Sequence, residues 1–82
     1  MSDIPPQLPW RRFVSVLRDL GYRPLKSRRG SLRQFFCPTR NPNLVSFHEP
    51  HSGESLHKAA LSGCLRRLQL SPEEFAQLIG RH

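Results

Sequence analysis

Ser31-Leu32-Arg33-Gln34-Phe35-Phe36-Cys37, closed by Pro38, and Leu44-Val45-Ser46-Phe47-His48 read as two neighbouring strands. Between them, Thr39-Arg40-Asn41-Pro42-Asn43 is dense in turn formers. In a regular strand Phe35 and Phe36 point to opposite faces. One ring therefore enters a core, and the other is left for solvent, a stacked base or a partner. Upstream, Tyr22 to Ser27 reads as a shorter strand that Pro24 confines to an edge or a strand start. Arg29-Gly30 is the hairpin turn that follows it. Three strands joined by short connections make an antiparallel meander.

Helices flank the meander. Pro9 suits a first helical turn. Trp10, Phe13, Val14 and Leu17 recur on one face, Leu20 extends it, and Gly21 stops it. After the meander, Glu49 to His57 reads as a polar loop. A second helix is predicted from about Ser62 to Gln69, with Leu61, Leu65 and Leu68 on one side and Arg66 and Arg67 on its wet side. Ser71-Pro72-Glu73-Glu74 has the form of a capping box for a third helix bearing Phe75, Leu78 and Ile79. The expected fold class is α+β, a three-stranded antiparallel sheet with helices on one face and an extra short C-terminal helix. Residues 1–8 are expected to form a loose lead-in, and 9–82 a single domain.

The chain has 82 residues and a 37% hydrophobic fraction, enough for one thin core. Its formal net charge is +7. From Gly21 to His48 it carries Arg23, Lys26, Arg28, Arg29, Arg33 and Arg40 with no Asp or Glu. Such a one-sign stretch repels itself unless packing or an anionic partner offsets the repulsion. Nucleic acid suits it, because each phosphate neutralised by Lys or Arg releases a counterion. No apolar run approaches the ~18 residues of a membrane span, and Met1 to Pro6 lacks the basic and apolar regions of a secretory signal. A cytoplasmic location is expected, with Cys37 and Cys64 as reduced thiols.

The run of a helix ending in Gly21-Tyr22, then Arg29-Gly30-Ser31-Leu32-Arg33-Gln34-Phe35-Phe36, a Pro/Asn turn and Val45-Ser46-Phe47-His48 resembles the HicA-type toxins of bacterial toxin–antitoxin modules. The segment Ser55-Leu56-His57-Lys58 through Leu61-Ser62-Gly63-Cys64-Leu65-Arg66-Arg67-Leu68 is similar to that family's second helix, and Ser71 to Phe75 to an extension of its longer members. The resemblance spans about Trp10 to Ile79. It implies a double-stranded-RNA-binding-domain-like αβββα fold and a small ribonuclease acting on messenger RNA. It also implies an acidic HicB-type antitoxin as partner.

One position departs from the family pattern. The family has Gly-Ser-His where this chain has Gly30-Ser31-Leu32, so Leu32 occupies the place of the catalytic His. Metal-independent RNA cleavage needs a group that accepts the 2′-hydroxyl proton and one that returns a proton near neutral pH. Imidazole, with an ordinary pKa of about 6.5, can do both; leucine can do neither. The chain is then a substituted form of an active parent, a natural member without cleavage, or one in which another His has taken the role. His48, at the end of the adjacent strand, is the candidate substitute, followed by His57.

Lys26, Arg28, Arg29, Ser31 and Arg33 are the candidate RNA-backbone contacts; the competing reading is a solvated basic turn. His48, His51 and His57 match no standard zinc spacing and read as surface histidines. No cofactor is expected, and the lack of an acidic cluster argues against a magnesium-dependent nuclease. Two other functional classes remain: a non-catalytic RNA-binding module, and a protein-interaction domain for an acidic partner.

Overall fold

A computed structural model describes residues 4–26, 30–51 and 54–80. Arg28, Arg29 and the hairpin turn expected there lie largely outside the described residues; Gly30, which closes it, is described. The elements run β1 (Gln7–Pro9), α1 (Trp10–Leu20), β2 (Arg23–Pro24), β3 (Leu32–Phe36), β4 (Leu44–His48), β5 (Ser55–His57), α2 (Lys58–Leu68) and α3 (Pro72–Ile79). They form an α+β globule with one three-stranded antiparallel sheet, in the order β2-β3-β4, and a two-stranded ribbon of β1 and β5. No described helix is long and apolar enough to cross a membrane.

The α1 stripe follows from its spacing. Phe13, Val16 and Leu17 are buried, while Trp10, Val14 and Leu20 pack around them. The helix stops at Gly21, whose φ of 102° is left-handed and natural only to glycine. Its N–H reaches the Arg18 carbonyl at 2.9 Å, and the Tyr22 N–H reaches that of Leu17 at 2.9 Å. A Cβ at Gly21 would also lie 3.2 Å from the Cys37 Sγ. The chain therefore turns here at the one residue that fits both constraints, and Tyr22 drops into the core with its hydroxyl bonded to the Pro42 carbonyl of the β3–β4 turn.

The core lies between the helices and one face of the sheet. Phe35, Val45 and Phe47 face inward and are buried. Phe13 links the layers: its ring meets Phe47 edge-on with centroids 5.1 Å apart, and Phe75 of α3 at 6.4 Å. Edge-to-face pairs add ~0.5–1.5 kcal/mol beyond burial, and removing such a ring typically costs about 3–5 kcal/mol. Arg12 further ties α1 to the end of α3 through the Ile79 carbonyl at 3.3 Å. The capping box forms as its residues predict: Glu74 N–H donates to Ser71 Oγ at 3.1 Å, and Ser71 N–H to Glu74 Oε1 at 3.2 Å.

Four features differ from expectation. The lead-in is packed from Ile4 onward, with Ile4 and Leu8 in the core. Leu8 pairs with Leu56 across the β1–β5 ribbon, so part of the expected polar loop is strand. Neither strand is longer than three residues, too short to show a period. The first strand of the sheet is only Arg23–Pro24, an edge strand in which Pro24 faces Phe35 in a non-hydrogen-bonded pair, where its missing donor breaks no ladder bond. The second helix starts at Lys58 rather than Ser62, since Ala59 and Ala60 are strong helix formers.

Candidate nucleic-acid interface

The β3–β4 register decides which side chains share a surface. Leu32 pairs with His48, Arg33 with Phe47, Gln34 with Ser46, Phe35 with Val45 and Phe36 with Leu44. Backbone bonds from Glu49 N–H to Ser31 O (2.8 Å) and from Cys37 N–H to Asn43 O (2.7 Å) flank the ladder. By alternation, Leu32/His48, Gln34/Ser46 and Phe36/Leu44 are non-hydrogen-bonded pairs, whose side chains stand closest. All three pairs project from the face opposite Phe35, Val45 and Phe47. This outer face is polar at one end and apolar at the other.

At the polar end, Ser31 Oγ lies 3.1 Å from His48 Nδ1. A hydroxyl can donate or accept, so Ser31 supports either neutral tautomer and leaves Nε2 as the donor or as the lone pair accordingly. His48 is exposed and Leu32 half-buried beside it. Ser31 also borders an open cleft of about 360 Å³ lined by Gly30, Ser31, Arg33, Glu49, Pro50 and His51.

Arg33 occupies a different place from the one its sequence context suggests. It alternates to the other face of β3 from Leu32 and Gln34, and its Nε bonds Glu49 Oε1 at 2.9 Å. Its Nη1 donates to the carbonyls of Gly30 at 2.8 Å and Leu32 at 3.0 Å. The guanidinium thus clamps the start of β3 to the end of β4, and the cation has an acidic neighbour that the one-sign run concealed. Lys26 is exposed just beyond β2. Arg28 and Arg29 lie outside the described residues.

At the apolar end, Phe36 is 37% exposed whereas Phe35 is 3% exposed, which settles which ring enters the core. Leu44 and Leu25 are also exposed. Arg23 pairs with Phe36, and the Leu25 N–H bonds the Gln34 carbonyl at 2.9 Å, so β2 extends the same face. At the far edge Arg67 of α2 donates to the Ser46 carbonyl at 2.8 Å. This contact is a site residue that helix patterning missed, since Arg67 reads there only as part of a wet side.

Trp10 packs as expected, with ring centroids 5.7 Å from Phe13 and 6.3 Å from Phe35. A cleft of about 410 Å³ beside it is lined by Pro9, Arg11 and Glu54, and it shares no residue with the His48 end of the sheet. Both cysteines are free. A hydrogen bond from the Thr39 side chain lowers the Cys37 thiol pKa, and burial raises that of Cys64. Among the described residues no group of three or more His, Cys, Asp or Glu is placed to share a metal ion. No family model, curated protein or solved structure matches this chain.

Proposed function

We propose that this chain is an RNA-directed domain of the HicA toxin type, neutralised by an acidic HicB-type antitoxin, with its catalytic position vacated at Leu32. The observation that carries the reading is the cross-strand pair of Leu32 and His48 on the face opposite Phe35, Val45 and Phe47, with Ser31 bonded to the imidazole. The order of α1, three strands and α2 is compatible with the αβββα plan of double-stranded-RNA-binding domains, here with β1 and β5 added and α3 appended. The net charge of +7 supports a polyanionic target.

Cleavage of this class joins the ribose 2′-oxygen to the adjacent phosphorus as the bond to the 5′-oxygen breaks. One proton leaves the 2′-hydroxyl and one must reach the departing 5′-oxygen. A single imidazole at His48 can serve one of these two transfers; Leu32 supplies nothing to the other. Losing one such group removes ~10²–10⁴-fold in rate. The native chain then binds RNA and cuts it poorly. Exposed cations and an acidic antitoxin are electrostatically matched, which favours fast association.

The test is RNA cleavage in a chelator by the native chain and by Leu32→His. The variant faces two imidazoles across one strand pair and is expected to cut faster by at least a hundredfold. Equal inactivity of both folded proteins overturns the ribonuclease lineage and leaves binding alone.

A further inference from the structure

Resting on the RNA reading above, a second feature specifies which form of RNA the sheet receives. We propose that the Phe36 end of the outer face is a stacking platform for one unpaired base of a single strand. Arg23 would flank that strand's backbone.

Phe36 is the exposed member of the Phe35-Phe36 pair, and it projects beside Leu44 and across from Arg23. No Asp or Glu occurs in β2, β3 or β4, so no carboxylate on these strands opposes a phosphate. A surface that combines a ring, aliphatic neighbours and the Arg23 cation matches a polyanion whose bases are free to stack. A duplex does not match it, because paired bases keep their faces inside the helix and present only edges and phosphates.

The two ends of the face are also in line. From Leu32 to Phe36 along β3 is about 13 Å by strand rise, a span that a short run of extended nucleotides covers. A base held on Phe36 would lay the neighbouring backbone along Gln34 and Ser46 toward His48. The Gln34 Nε2 contact to Ser46 Oγ is long, at 3.4 Å, and leaves both groups able to bond a ribose or phosphate.

The experiment compares binding of an unstructured labelled RNA of roughly a dozen nucleotides with that of a blunt RNA duplex of equal length. It uses the full native chain and its Phe36→Ala, Phe36→Leu and Phe36→Trp variants, each checked for native circular dichroism. Single strands are expected to bind the native chain more tightly than duplex. Phe36→Ala and Phe36→Leu should each lose about tenfold or more on the single strand, and Phe36→Trp should retain it. If the native chain binds RNA but Phe36→Ala binds as well, the platform is wrong and the RNA reading stands. If Phe36→Leu behaves as native while Phe36→Ala is weak, the contact is apolar rather than stacking, as for a protein partner, and the platform is again overturned. If the native chain binds neither RNA at low salt, the RNA reading itself fails and takes the platform with it.

Discussion

Leu32 stands directly opposite His48 in the β3–β4 ladder. The two side chains leave the sheet on the face opposite Phe35, Val45 and Phe47, at the closest spacing that an antiparallel pair permits. An imidazole placed at Leu32 would therefore complete an acid–base pair without any movement of the backbone. In Leu32→His, further replacement of His48 by Ala should reduce cleavage ~10²–10⁴-fold. The pH–rate profile of Leu32→His should be bell-shaped and lose one limb in the double variant. A double variant as active as Leu32→His would place the second proton transfer elsewhere.

Glu49 is the acidic neighbour of Arg33 at 2.9 Å, with both side chains about one-third exposed. Ion pairs this open contribute under ~1 kcal/mol, so Glu49→Gln should change the melting temperature little. Removing its charge should nonetheless raise RNA affinity at low salt, because one carboxylate fewer then repels phosphate at this end of the sheet. Titration of labelled RNA into both proteins measures this, and unchanged affinity would confine Arg33 to its structural clamp.

Gln69 ends α2 in the left-handed region, with φ 58°. A residue with a Cβ is strained there by about 1–2 kcal/mol, part of which glycine returns through its freer unfolded chain. Gln69→Gly should stabilise the fold by roughly 0.5–1 kcal/mol in urea unfolding. A destabilised variant would mean that the side chain makes a contact worth more than the strain.

Much of this architecture was legible because its signals are local. Gly21 marks the end of α1 by a conformation that favours glycine, and Ser71 with Glu74 marks the start of α3 by reciprocal bonds. Leu44 to His48 emerged with the same limits as β4 because its flanks and alternation agree. The β1–β5 ribbon was not legible: Leu8 and Leu56 are strand residues only because they meet, and nothing within either tripeptide indicates the other. The site divides in the same way. The neighbourhood of Leu32 and His48 followed from adjacent strands, whereas the Arg33–Glu49 pair and the reach of Arg67 to Ser46 depend on how side chains at the end of one hairpin and on α2 meet the sheet in space.

Cys64 offers a pH-dependent check on the core. Burial raises its thiol pKa above the ordinary 9.0, so the folded state holds the proton more tightly than the unfolded chain does. Its contribution is present in full below the unfolded value and is lost as pH rises through the folded one. Stability should therefore decline at alkaline pH, and Cys64→Ala should flatten that part of the decline. The lowered Cys37 thiol acts with the opposite sign, so each cysteine must be replaced separately to read its share. A Cys64→Ala curve parallel to the native one would show that the thiol does not report on the core.

RNA as the target is tested most directly by the salt dependence of binding. The native chain is titrated into unstructured RNA across a decade of monovalent salt. The logarithm of affinity should fall linearly with log salt, by ~0.7 for each phosphate contacted on a single strand, and by more than one contact in total. Absence of binding at low salt, or binding indifferent to salt, would contradict the account and leave the basic surface to a protein partner.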